Sequence, residues 1–202
     1  MQLIVLGVPL YAVSFVHVWA PLISGVFQGL SQKSKNSINA NNIYDSVTLL
    51  TGICAFVVAW PFFFSSAKGL DDVVAGLLTS GIWWMIFFRD THPSEVLRLL
   101  TDHPVHVLLI SLVATAEEII WRGYFTSTDF SEIGELLVSL WLIIGFISIH
   151  AHEMNIQKFR FLSLLTIVLI LNAFFWGLGS VIIVHIVNNL LIDARSYKVK
   201  SI

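Results

Sequence analysis

The chain has 202 residues, of which 56% are hydrophobic and 12% charged, with a mean hydropathy of +0.83 and a formal net charge of −2. A soluble domain carries about 25% charged residues, and a folded chain of this size still exposes about 30% of its surface. The composition therefore excludes a water-soluble globule and assigns the chain to a bilayer; the slight negative charge and the lack of a long basic run argue against a nucleic-acid partner.

A helix crosses the hydrocarbon core with about 20 apolar residues. In chain order the first such segment is 3–27. It has no basic leading region and no small-residue cleavage site, so it reads as a retained span and not a cleaved signal. The loop 28–45 is polar, and its Lys33 and Lys35 serve to set topology. Segment 46–67 follows and holds Cys54, whose solitude rules out an internal disulfide. After segment 73–88 comes the polar stretch 89–104, RDTHPSEVLRLLTDHP, which carries a narrow apolar stripe. It reads as an interfacial helix capped by Ser94, with Pro93 before its start and Pro104 after its end. The remaining apolar segments are 105–125, 133–151, 161–176 and 180–192. The last two are short and are parted only by Gly177-Leu178-Gly179, the mark of a tight re-entry or a broken helix. Broken backbone at membrane depth has to be buried in protein or line a cavity. The expected fold is all-α: a polytopic membrane helix bundle of about six to eight transmembrane segments with one interfacial helix. A single membrane domain is expected over 1–202, with no linker or internal repeat.

The charges give an orientation. If all seven segments cross and the N-terminus lies outside, the inner side holds Lys33, Lys35, Arg89, Arg98, Lys158, Arg160, Arg195, Lys198 and Lys200. The outer side holds Lys68 with Asp71, Asp72, Asp129, Glu132 and Glu135. This is a strong positive-inside bias. It predicts a multi-pass protein of the cell membrane with its C-terminus in the cytoplasm.

Charged side chains within spans cost a few kcal/mol each and usually face the bundle interior. Three clusters of polar residues interrupt the apolar segments. In the first, Glu117-Glu118-Ile119-Ile120-Trp121-Arg122, the glutamates point about 100° apart on a helix and cannot share a role. Glu118 and Arg122 are four apart, with the acid N-terminal to the base, and are expected to pair as structural support. Glu117 has no local partner. An unpaired buried carboxylate has a raised pKa, towards that of a general base at neutral pH. In the second cluster, His150 ends the apolar run, while His152 and Glu153 fall at the membrane edge, where solvation accounts for them. In the third, His185 and Asn189 lie four apart on one face of the last helix and suit an oxyanion site. Interhelical polar packing is the competing account for both residues. Asn188 and Asn172 read as structural hydrogen-bonding groups and His17 as structural or interfacial. His92, His103 and His106 are assigned no role, and Trp60, Trp83, Trp84, Trp121, Trp141 and Trp176 are ordinary for membrane helices.

These groups suit hydrolysis without a covalent intermediate. Glu117 with His150 would activate water, and His185 with Asn189 would hold the oxygen that becomes negative when water attacks an amide. No G-x-S-x-G occurs, which argues against a serine hydrolase. Glu117, His150 and His185 are conceivable zinc ligands, but H-E-x-x-H is absent, so zinc is disfavoured and no cofactor is expected. Glu117 sits deep in the fourth span and His150 near the inner end of the fifth, which predicts a difference in depth at about 1.5 Å per residue.

The same residues resemble the CPBP group of intramembrane proteases, also called the CAAX prenyl-protease-2 or Abi family. Glu117, Glu118 and Arg122, followed by Gly123, match E-E-x-x-x-R; Phe146 and His150 match F-x-x-x-H; His185 and Asn189 match H-x-x-x-N. The three motifs occur in order, and the family-like catalytic core is 105–192. The chain departs in its small size, in Trp121 where phenylalanine is common, and in the run HAHEMN after the second motif. The resemblance implies a metal-free, glutamate-type peptidase in which Glu117 and His150 activate water and His185 and Asn189 form the oxyanion site. It also implies a membrane-anchored peptide or protein substrate, and a bacterial or archaeal origin fits the chain best. The alternatives are a non-catalytic scaffold or bacteriocin-immunity protein of the same fold, and a proton-coupled transporter carrying its proton on Glu117. Against the transporter, no repeated halves are visible.

Overall fold

The computed structural model describes residues 12–32, 39–66, 69–126, 130–150 and 155–200. Lys33, Lys35, Lys68, Asp129, His152 and Glu153 lie outside the described residues, as do the side chains of Trp60, Lys198 and Lys200. Among the described residues all regular structure is helical: α1 Ala20–Gln32, α2 Ala40–Ser66, α3 Leu70–Phe87, α4 Pro93–Asp102, α5 Pro104–Arg122, α6 Ile133–Ile149, α7 Ile156–Trp176 and α8 Leu178–Lys200. Five helices are long and apolar enough to cross a bilayer, and two shorter apolar helices, Ala12–Gln28 and Ile133–Ile149, accompany them. The protein is thus an all-α polytopic bundle. Its outer surface carries Leu78, Ile86, Leu137 and Ile167, each more than half exposed, as lipid-facing side chains are.

Several boundaries differ from expectation for identifiable reasons. The first span is interrupted at Val18 and Trp19. Pro21 has no N–H to bond the carbonyl one turn back, so the helix breaks there. Helix α2 begins at Ala40, and residues 40–45, read above as loop, are helical. The polarity of Asn41, Asn42 and Asp45 masked this first turn. The cap of α4 is His92 and not Ser94: its side chain accepts from the Ser94 N–H while Glu95 accepts from the His92 N–H. Pro93 occupies the first helical position, where a missing N–H costs nothing. The apolar side of α4 seats Leu99 against Leu190 and Ala194 of α8.

The last two helices have 21 and 23 residues, both long enough to span. Only Gly177 separates them, at φ 100. That left-handed conformation favours glycine. Its N–H bonds the carbonyls of Asn172 and Ala173 at 3.1 Å, and its carbonyl accepts from Ser180 Oγ at 3.0 Å. The reversal therefore satisfies its own polar groups, as a break within a membrane bundle requires. Asn172 also accepts from Thr79 Oγ1 at 3.2 Å, tying α7 to α3.

Helix α5 is the axis of the site. From Ala116 to Phe125 every side chain is buried. That is why two adjacent glutamates, on different sides of one helix, both face protein. Small residues bring its neighbours close. A Cβ added at Gly52 of α2 would fall 2.4 Å from Ala116 Cβ, and one at Gly145 of α6 would fall 2.6 Å from the ring of Trp121. On α3, one at Gly76 would fall 2.9 Å from Ile183 Cβ of α8. Such close approach is how membrane helices gain packing energy. Gly145→Ala is therefore expected to push Trp121 from its seat and destabilise the bundle by about 1–3 kcal/mol. Gly134→Ala, on the same helix with nothing within 4 Å, should be neutral or slightly stabilising. Thermal unfolding of both variants in detergent checks the contrast.

Candidate active site

The local pair expected on α5 is present. Arg122 Nη1 donates to Glu118 Oε1 at 3.1 Å, and both side chains are almost wholly buried. The guanidinium lies 3.5 Å from the centre of the Phe146 ring, a cation–π contact from α6. Glu118 has a further partner from α8: His185 Nδ1 hydrogen-bonds the same oxygen, Oε1. An ionised carboxylate only accepts, so His185 carries hydrogen on Nδ1 and turns Nε2 to the other side. There Nε2 lies 3.7 Å from Glu117 Oε2. The two glutamates point apart along the helix yet meet one imidazole from its two nitrogens.

Glu117 is not the partnerless carboxylate expected from the sequence. Tyr44, on α2, donates its phenolic hydrogen to Glu117 Oε1 at 2.6 Å. Sequence reasoning missed Tyr44. It lies 73 positions away in a stretch taken for loop, and no motif includes it. The premise of an unpaired acid, and the raised pKa drawn from it, therefore does not apply.

His150 follows the last residue of α6, and its Nδ1 lies 3.0 Å from the Phe146 carbonyl. A carbonyl only accepts, so Nδ1 is the protonated nitrogen and Nε2 is left with a lone pair in the neutral ring. Glu117, His150, His185 and Asn189 all line one cavity of about 230 Å³. His106, Leu109, Ile110, Val113 and Glu117 form its α5 wall, one face followed over successive turns. Glu117 and His150 thus line the same cavity, although their positions along the sequence predict different depths.

Asn189 is oriented by a short relay. Trp83 Nε1 donates to Asn188 Oδ1 at 3.0 Å, and Asn188 Nδ2 donates to Asn189 Oδ1 at 3.3 Å. An indole N–H can only donate, so it fixes the Asn188 amide, which in turn fixes that of Asn189. The Asn189 Nδ2 hydrogens remain available as donors. Asn188 thus fills the structural role expected of it.

His17 is buried in the bundle, not interfacial. Trp121 Nε1 donates to its Nδ1 at 3.0 Å, so its Nε2–H donates to Thr48 Oγ1 at 2.8 Å. Trp121, where the family motif often has phenylalanine, thereby ties α5 to α2 through His17. His106, given no role above, also lines the cavity and pairs with Asp193 Oδ2 at 2.9 Å.

A second cavity of about 680 Å³ shares His150, His185 and Asn189 with the first. Phe87, Phe88, Phe161, Leu162 and Leu165 are among its walls, and Gln157, Lys158, Arg195 and Ser196 are among its polar lining residues. A polar nook and an aromatic chamber thus share one set of imidazole and amide groups in their walls. Among the described residues, no three His, Cys, Asp or Glu side chains are grouped as metal ligands.

Residues 100–191 match the sequence model of the family described as Type II CAAX prenyl endopeptidase Rce1-like. The match spans 92 of 202 residues. It takes in all three motifs and leaves out α1, α2, α3 and, with them, Tyr44 and Trp83. No curated protein and no solved structure matches the chain. Over segment 100–191, a little under half of its length, the chain is similar to that family of CAAX-type intramembrane proteases.

Proposed function

We propose that the protein is an intramembrane endopeptidase that hydrolyses a peptide bond of a membrane-anchored substrate. The observation that carries this reading is the convergence of Glu117 on α5, His150 at the C-cap of α6, and His185 and Asn189 on α8, on one cavity. In the proposed mechanism the scissile carbonyl sits where the two cavities meet. Water loses a proton to Glu117, with the lone pair on His150 Nε2 orienting it. The oxygen that becomes negative is held by Asn189 Nδ2 and by His185 Nε2–H. Collapse returns the proton to the leaving amine.

Charge balance supports the part given to His185. Glu117, Glu118 and Arg122 together carry one excess negative charge. With both ring nitrogens protonated, His185 makes the buried group neutral, and a buried charge is tolerated only when compensated. Its Nε2 is then a donor, as oxyanion stabilisation needs. The site is proposed to work without metal, because Tyr44 already engages one Glu117 oxygen and Glu118 engages His185 Nδ1. The proposed orientation places the N-terminus outside and Lys158 and Arg195 at the cytoplasmic lip of the larger cavity. The aromatic chamber suits the apolar part of the substrate. The chain is proposed to act as one membrane domain with its catalytic core at 105–192.

The test is cleavage by the purified protein in proteoliposomes. The probe is an internally quenched peptide ending in a farnesylated Cys-aliphatic-aliphatic-X sequence, with its unprenylated counterpart alongside. Cleavage of at least one peptide is expected, with a rate unchanged by EDTA or phenanthroline. Loss of cleavage on chelation, restored by zinc, would contradict the metal-free mechanism. No cleavage of either peptide would favour a scaffold.

A further inference from the structure

We propose that Tyr44 is a positioning residue of the hydrolytic site: it pins one oxygen of Glu117 so that the other is presented to water. The inference rests on the reading of Glu117 as the base, and it lies outside the segment that matches the family.

A glutamate at the end of a flexible stem has two equivalent oxygens, and rotation about its last bond exchanges them. Here they are not equivalent. Oε1 takes the Tyr44 hydrogen at 2.6 Å, a short charge-assisted bond. Oε2 lies 3.7 Å from His185 Nε2, beyond hydrogen-bonding length. Beyond this longer ion-pair contact it makes no hydrogen bond among the described residues, and it is the oxygen left to accept a proton from a bound water. Exchange would require breaking the tyrosine bond, so the carboxylate is held in one of its two settings.

The tyrosine is itself held. Tyr44, Thr48 and Gly52 recur every four residues on α2 and so face α5 together. Gly52 lets the two backbones meet at Ala116, one residue before Glu117. Thr48 bonds His17, and His17 bonds Trp121. The Tyr44 ring stands 5.9 Å from the His17 ring. The phenol thus projects from a braced wall into the cavity, which it helps to line. A bond that only tied α2 to α5 would serve stability alone, and the two roles separate experimentally.

Tyr44→Phe removes one oxygen and keeps the ring and its packing. In proteoliposomes with the same farnesylated quenched peptide, kcat is expected to fall about 10- to 100-fold, the effect of losing a hydrogen bond to a charged group. KM should stay within about twofold of wild type, and the unfolding midpoint should fall by no more than loss of one hydrogen bond to a charged group allows, leaving the protein folded at the assay temperature. In a Glu117→Asp background, where the carboxylate is already drawn away from the phenol, Tyr44→Phe should add little further loss. A lowered midpoint with unchanged kcat, or losses that multiply across the two sites, would overturn the proposal. Wild type and Glu117→Gln run in parallel. If wild type is active, Glu117→Gln inactive and Tyr44→Phe fully active, this inference alone fails. If Glu117→Gln cleaves like wild type, the reading of the site fails and takes the inference with it.

Discussion

Glu117→Gln should yield a folded protein whose cleavage rate is lower by about 10³-fold or more, in the upper range of what one general base contributes. The substitution is nearly isosteric. Its amide oxygen can still accept from Tyr44, so the contact between α2 and α5 survives. What is lost is the group that takes a proton from water, replaced by an amide NH2 that cannot. Single-turnover cleavage in proteoliposomes, paired with the unfolding midpoint in detergent, separates the chemical effect from a folding one. An equally large loss of folded protein would mean that the carboxylate is needed for assembly. Unchanged cleavage would remove Glu117 from the chemistry.

The largest stability effect is expected at Arg122. Its side chain is about 1% exposed and pairs with a Glu118 that is wholly buried. Arg122→Ala leaves Glu117 and Glu118 with His185 alone to offset two negative charges, opens a cavity and removes the charge from the face of Phe146. Breaking one side of a buried pair costs about 3–5 kcal/mol, chiefly because the buried group is left with an uncompensated negative charge. The variant should therefore accumulate poorly and unfold well below wild type. Neutralising both partners tests the cause. Glu118→Gln with Arg122→Met restores volume and leaves no bare charge, so its stability should return much of the way towards wild type. Its cleavage should stay low, because His185 no longer faces a carboxylate at Nδ1. Thermal unfolding and cleavage rate of the single and double variants, read together, give both answers.

What could be read from the sequence follows the range of the interactions involved. The Glu118–Arg122 pair was legible because its spacing is one helical turn, and the structure places it at 3.1 Å. The apolar segments were legible because lipid demands long hydrophobic runs. The start of α2 was not, since its first turn is polar, and neither was the capping role of His92, which is carried by an imidazole rather than the expected hydroxyl. The His185–Glu118 bond joins residues 67 apart, and the Trp83–Asn188 bond joins residues 105 apart. Nothing local signals either of them. Tyr44 shows the same limit most sharply. The motif pattern led to the glutamate, but only the packing of α2 through Gly52 shows what holds it.

The central claim is that Glu117 delivers water to a carbonyl whose oxygen is met by donors on α8. A substrate-derived peptide ketone that hydrates to a tetrahedral diol measures this most directly. Transition-state analogues bind about 10²-fold or more tighter than ground-state mimics. Wild type should therefore bind the ketone at least about 100-fold tighter than the matching alcohol, and Glu117→Gln and Asn189→Ala should each erase most of that gap. A preference that is absent in wild type, or that persists undiminished in both variants, would contradict the account.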